Sequence, residues 1–153
     1  MKRIFAREEW CLACHLCEYH CANANLPHKE GGNFNAEMAR NLKGRAIRPR
    51  IRVEEDDRVH FALSCRHCDE PACKKSCISG AISMINGVVC IDRDKCVGCY
   101  TCILACPYGT IVPSDDGHAA QKCELCMQNS CGEPACVAHC PNRAIVYEEV
   151  LDE

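Results

Sequence analysis

Cysteine is the residue type that can do chemistry in this chain, and its spacing indicates which chemistry. The run Cys96-Val-Gly-Cys99-Tyr-Thr-Cys102-Ile-Leu-Ala-Cys106-Pro107 reads C-x2-C-x2-C-x3-C-P. Three thiolates two residues apart can wrap one tight loop around one face of an iron–sulfur cube. The fourth lies a turn further on and points away, toward a second cube. This run therefore predicts a partner run elsewhere. A zinc knuckle or a disulfide nest is the competing chemistry, and four cysteines in register before a proline suit neither as well.

Three more groups follow the same logic. Cys11-Leu-Ala-Cys14-His-Leu-Cys17-Glu-Tyr-His-Cys21 repeats the spacing without the proline. Ala22 stands there instead, so a short helix can continue through Asn23. Cys65-Arg-His-Cys68-Asp-Glu-Pro-Ala-Cys73-Lys-Lys-Ser-Cys77 has a loop widened around Pro71, and Ile78 replaces the proline. The last group contains Cys123, Cys126, Cys131, Cys136 and Cys140-Pro141. Internal repetition aligns it: Glu70-Pro71-Ala72-Cys73 and Cys77 match Glu133-Pro134-Ala135-Cys136 and Cys140. Cys131 is then an extra residue: a bystander thiol, a ligand in place of Cys136, or a thiol with some further metal or redox role. Cys90, in Val-Val-Cys-Ile, reads as a small buried hydrophobe.

Composition supports bound metal over disulfides. Eighteen of 153 residues are cysteine, a density usual in secreted disulfide scaffolds. The start Met-Lys-Arg-Ile-Phe-Ala-Arg has neither the apolar run of a signal peptide nor a twin-arginine pair, and C-x-x-C pairs suit metal thiolates. A reducing cytoplasm is the expected location. Only three Phe, four Tyr and one Trp are present, so bound cubes must fill part of the interior and supply folding free energy. The metal-free chain is expected to be largely unfolded. A net charge of −3 offers no support for nucleic-acid binding. No stretch reaches the roughly 18 apolar residues of a membrane span.

The elements that must position these cysteines are short. Ile51, Val53, Val59, Phe61 and Leu63 alternate with polar residues around Glu54-Glu55-Asp56-Asp57, which predicts a hairpin with a charged tip. Asn86-Gly87 between Ile82–Met84 and Val88–Ile91 predicts a second hairpin. Thr110–Val112, a turn at Ser114–Gly117 and a return over His118–Lys122 predict a third. Gly31-Gly32-Asn33 reads as a loop. Arg143 to Tyr147 predicts a last strand, and Glu148 to Glu153 an exposed, partly disordered acidic tail. Arg40, Lys43, Arg45, Arg48, Arg50 and Arg52 run without an acid, giving either a docking surface for an acidic partner or a solvated face. His15, His20, His67 and His139 stand beside predicted ligands, where they can tune the metal or simply pack. Trp10 and Tyr100 can shield a cube from water.

Four such groups in this order resemble the four-cluster [4Fe–4S] ferredoxin-like electron-transfer subunits of molybdopterin reductases, formate dehydrogenases and hydrogenases. The resemblance runs from Cys11 to about Val146. The opening Cys-Leu-Ala-Cys-His-Leu-Cys-Glu most resembles the electron-transfer subunits of carbon monoxide dehydrogenase. The resemblance implies an α+β fold of two pseudo-symmetric bacterial-ferredoxin-like modules around four clusters. Residues 61–112 would form the inner module. Residues 1–60 with 113–153 would form the outer one, carrying a basic loop and hairpin at 40–63. It also implies the ligand sets Cys65, Cys68, Cys73 and Cys106; Cys96, Cys99, Cys102 and Cys77; Cys11, Cys14, Cys17 and Cys140; and Cys123, Cys126, Cys136 and Cys21. The chain departs from the pattern in Cys90, Cys131 and the prolines missing after Cys21 and Cys77.

The expected function is electron carriage without catalysis, since four cysteines per cube leave no open position for a substrate. The expected partners are a catalytic redox subunit, such as carbon monoxide dehydrogenase, and a downstream hydrogenase or flavoprotein using flavin or NAD(P). A zinc-binding interaction module and an enzyme with one under-ligated cube are the alternatives from other classes.

Overall fold

A computed structural model describes residues 1–26, 43–44, 48–127 and 132–150. The Gly31–Asn33 loop, Arg40, Arg45, Cys131 and the last three residues of the acidic tail lie outside the described residues.

The chain opens on β1 (Lys2–Ala6) and a single 3-10 turn at Glu8–Trp10. Helix α1 (Leu16–Ala24) carries the end of the first cysteine group. Strands β2 (Ile51–Asp56) and β3 (Val59–Ser64) form the first hairpin, paired from Ile51↔Ser64 to Asp56↔Val59. The alternation from Ile51 to Leu63 dictates this pairing, but Glu54, Glu55 and Asp56 belong to β2 and the tip is Asp57–Arg58. One-turn helix α2 (Ala72–Lys75) follows Pro71, whose fixed φ suits a helix start. Strands β4 (Ile82–Ile85) and β5 (Val88–Ile91) pair across Asn86 and Gly87. Both turn residues have positive φ, 50° and 79°, as a two-residue hairpin turn matching the strand twist demands.

Helix α3 (Thr101–Ala105) ends at Cys106 before Pro107. Strands β6 (Val112–Pro113) and β7 (Ala120–Gln121) make the third hairpin, much shorter than expected. Helix α4 (Ala135–Ala138) repeats α2. Strand β8 (Ile145–Glu149) closes the fold by pairing with β1, Ile4 opposite Tyr147 and Ala6 opposite Ile145. This closure went unread in the sequence. It corrects two expectations: the last strand starts at Ile145 because Arg143 is left-handed, and Glu148 and Glu149 belong to a strand rather than a free tail.

Among the described residues the result is α+β, four two-stranded sheets and short helices. Buried apolar residues form two groups. One joins Ile4, Cys17, Cys21, Ile51, Ala62, Val88, Cys123, Leu125, Cys136 and Ile145. The other joins Ile82, Val89, Ile91, Cys102, Ile111 and Ala120. Cysteines stand where an ordinary core would place large hydrophobes, and the largest fully buried side chains include Lys122, His67 and Asn23. No helix among the described residues is long and apolar enough to cross a membrane.

Candidate metal centres

All four cysteine loops use one backbone device. The residue before the second cysteine is left-handed in every group: Ala13 (φ 48°), His67 (φ 47°), Gly98 (φ 65°) and Leu125 (φ 56°). His15 and Tyr100, just after the second cysteine, share this conformation and precede α1 and α3. A left-handed residue with a side chain costs about 1 kcal/mol or more. Its recurrence at one motif position marks a loop shape the site requires. Turns of this kind expose concave rows of N–H groups suited to an anion.

The fourth cysteines share a second device. Gly80, Gly109 and Arg143, three residues on, are left-handed, and their N–H groups donate to the carbonyls of Cys77, Cys106 and Cys140 at 3.2–3.3 Å. Cys21 differs because α1 continues past it to Ala24, as the missing proline predicts. The Glu-Pro-Ala-Cys repeat is equally regular. Lys74 and Lys75 donate N–H bonds to Pro71 O at 3.0 and 3.1 Å, and Val137 and Ala138 to Pro134 O at 2.9 and 3.1 Å. Cys73 and Cys136 thus occupy equivalent positions.

The fold brings cysteines from distant groups together. Cys11, Cys14, Cys17 and Cys140 line one partly open hollow, walled by Trp10, Val53, Ala62 and Ile145. Cys65, Cys68, Cys73 and Cys106 line another, walled by Val89, Pro107, Thr110 and Ile111. Among the described residues no three His, Cys, Asp or Glu side chains converge on a single-ion site. The thiols stand around a space instead, and an all-thiolate set of four suits an iron–sulfur cube.

The remaining thiols are also close enough to act on one another. Burial pushes the Cys136 thiol well above its ordinary value, and the thiolates of Cys21, Cys123, Cys126 and Cys17 push it further. Burial raises Cys102 to about 11, with added effects from Cys96, Cys73 and Cys77. Burial likewise takes Cys17 and Cys123 to about 12 and Cys21 to about 11. Without metal such thiols keep their protons; a cation in the cavity reverses that preference.

Other sulfurs face donors. Burial would raise Cys77, but the Ser79 hydroxyl at 3.7 Å and backbone N–H groups outweigh it and lower the thiol. The same balance lowers Cys106, whose Sγ lies 3.6 Å from Thr110 Oγ1. Thr101 Oγ1 donates to Cys99 Sγ at 3.5 Å, and the Arg50 N–H to Cys21 Sγ at 3.3 Å.

The histidines divide. His15 bonds Glu18 (3.0 Å) and Glu55 (2.6 Å), and these carboxylates hold its imidazole above the usual value. His20 stacks on His139 at 3.9 Å. His67 is buried, and its Nδ1 accepts the Val89 N–H at 3.1 Å. Trp10 walls the first cavity. Tyr100 packs against the Ile82–Ala120 group. Cys90 is half-buried on β5 and is not among the cysteines lining the two cavities. Of the basic run, Arg48 pairs with Asp115, Arg50 with Glu124 and Arg52 with Glu54, and Lys43, Arg48 and Arg52 are exposed.

Sequence reasoning missed two things. Lys122 is fully buried, and its sole signal was a basic residue directly before Cys123. Glu124 joins two hairpins, and nothing local marks it.

Comparison with known proteins agrees with this chemistry. The 4Fe-4S dicluster domain family matches residues 57–150. The chain is 33% identical over 159 residues to the electron transport protein HydN of Escherichia coli K12, covering 94% of this chain and 85% of HydN. It is 36% identical over 149 residues to AegA of the same strain, named as an oxidoreductase, covering 93% of this chain but 21% of AegA. The chain thus spans about a fifth of that relative's length. A solved structure of the active-site complex BamBC of benzoyl-coenzyme A reductase aligns with a TM-score of 0.50 at 22% identity. It covers 97% of this chain and 79% of that one, a likeness of fold. The chain belongs to the 4Fe-4S dicluster domain family, alongside relatives that include a protein named for electron transport.

Proposed function

We propose that the chain holds four [4Fe–4S] clusters and carries single electrons between a catalytic oxidoreductase subunit and a downstream acceptor. The sets are Cys11, Cys14, Cys17 and Cys140; Cys123, Cys126, Cys136 and Cys21; Cys65, Cys68, Cys73 and Cys106; and Cys96, Cys99, Cys102 and Cys77. When bound, each cluster supplies a one-electron redox centre. The observation that carries this reading is the gathering of three cysteines from one group and a fourth from a distant group around one cavity, twice over.

The couplings between sets suggest a line. Cys136 feels Cys17, Cys123 feels Cys65, and Cys102 feels Cys73. The order is then the Cys11 set, the Cys123 set, the Cys65 set and the Cys96 set. Cys14 and Cys99 are exposed at its two ends. Leu12 (65% exposed) flanks the first, and Val97 and Leu104 (89% exposed) flank the second. Apolar residues beside a terminal centre let a partner exclude water there. The Ser79 and Thr110 hydroxyls and the Arg50 N–H place donors at ligand sulfur, which eases reduction. Two modules, residues 61–112 and residues 1–60 with 113–153, are the proposed organisation; the two groups of buried residues follow it in part, with Ala62 and Val88 packing in the outer group and Ala120 in the inner one.

Carbon monoxide dehydrogenase is the donor to test first, on the resemblance of the Cys11–Glu18 run. A hydrogenase or a flavin- or NAD(P)-using oxidoreductase is the acceptor class. The same unit occurs within AegA, which supports pairing with an oxidoreductase. The deciding measurement is iron and acid-labile sulfide in anaerobically purified protein. About sixteen of each per chain is expected; about eight would reduce the reading to the two clusters of the family profile. Anaerobic mixing with carbon monoxide and that dehydrogenase should bleach the chain's visible absorbance, and an unchanged spectrum would remove this donor.

A further inference from the structure

Lys122 has a place that packing does not account for. Its side chain is fully buried. Its ammonium donates to the carbonyl of Val89 and, at 2.7 Å, to the carbonyl of Cys123. Among the described residues no carboxylate lies within ion-pair distance of it. The nearby acid, Glu124, is occupied by Arg50 and the Ile91 N–H. A buried ammonium without a counter-charge is strongly unfavourable, so an anion must come from elsewhere.

The two carbonyls show where. Cys123 belongs to one proposed ligand set. Val89 walls the cavity of another, that of Cys65, Cys68, Cys73 and Cys106, and its N–H is held by His67 within the same cysteine loop. Lys122 therefore lies between the two middle sets of the proposed line. A cube held by four thiolates is a net anion, since the thiolates outweigh the charge of its iron–sulfur core, and it becomes more anionic on reduction.

We propose that Lys122 is the shared counter-cation of the two middle clusters and holds their reduction potentials above the values they would have without it. An electron reaching either middle cluster leaves a neighbour oxidised by one electron; no bond forms or breaks and no proton moves. Lys122, fully buried, stabilises the added charge by proximity and is a positioning residue. The proposal rests on the four-cluster reading, and wild-type iron and sulfide content tests that reading separately.

The test is an EPR-monitored redox titration of the loaded full chain as wild type, Lys122→Met and Lys122→Arg. Cys68→Ser and Cys126→Ser assign the signals of the middle clusters. In K122M both middle midpoints should move to more negative potential while those of the Cys11 and Cys96 sets stay in place; K122R should stay near wild type. Unchanged midpoints in fully loaded K122M would overturn the proposal. If K122M fails to take up iron while K122R loads fully, charge is required where shape is not, which supports it. If neither loads, the lysine's shape is what matters, and the proposal fails.

Discussion

Arg50 Nη1 donates to Glu124 Oε2 at 3.1 Å across a boundary where both side chains are about four-fifths buried. The other Glu124 oxygen accepts the Ile91 N–H at 3.0 Å, and the Arg50 N–H reaches Cys21 Sγ. One ion pair therefore links the approach to β2, the end of β5 and the loop carrying Cys123. Truncation leaves a guanidinium without its partner in a drying site. Glu124→Ala should destabilise the loaded protein by about 2–4 kcal/mol, measured by anaerobic denaturant unfolding. Glu124→Gln, which keeps an acceptor for Ile91, should cost less than half as much.

The exchange of fourth cysteines predicts an effect far away in sequence. Cys140→Ser should impair the cluster of Cys11, Cys14 and Cys17, not that of its neighbours Cys126 and Cys136. One EPR signal should weaken while three remain, and transfer to a partner should slow. A separately assembled catalytic subunit should keep full activity with artificial dyes. Loss of the same signal in both Cys126→Ser and Cys140→Ser would contradict the exchange.

Gly98 lies against backbone that cannot give way to a side chain. Its φ is 65°, and a Cβ there would meet the His118 carbonyl oxygen at 2.6 Å. Gly98→Ala should cost about 1–3 kcal/mol and lower occupancy of the Cys96 set, seen as a lower melting temperature and less bound iron. Ala13, left-handed at the equivalent position, is the contrast. Ala13→Gly should leave stability within about 1 kcal/mol of wild type, because strain relief offsets the freer unfolded chain.

Metal removal should unfold the chain. The cavities are walled by thiols and by few large hydrophobes, and Lys122 and His67 are buried beside them. Chelation under reducing, anaerobic conditions should abolish cooperative thermal unfolding and near-ultraviolet circular dichroism, and reconstitution with iron and sulfide should restore both. A metal-free chain that still melts cooperatively would show that the apolar groups suffice.

Much of the chemistry was legible residue by residue because it is local. A C-x2-C-x2-C loop can close on one cube whatever surrounds it, Asn86-Gly87 turns a hairpin by its own backbone preference, and Glu-Pro-Ala-Cys starts the same short helix twice. The basic run was legible as charge alone, and only the fold shows the partners of its arginines: Arg48, Arg50 and Arg52 each pair with an acid of the same chain. The long-range facts needed the fold. The pairing of β1 with β8 joins the first and last cysteine groups, and no short pattern encodes a contact between residues more than a hundred positions apart. That Cys140 stands with Cys11, and that the lysine before Cys123 is buried beside Val89, follow from this closure. Type and spacing give each cysteine its affinity for metal; the packing of distant segments gathers cysteines of separate groups around shared hollows.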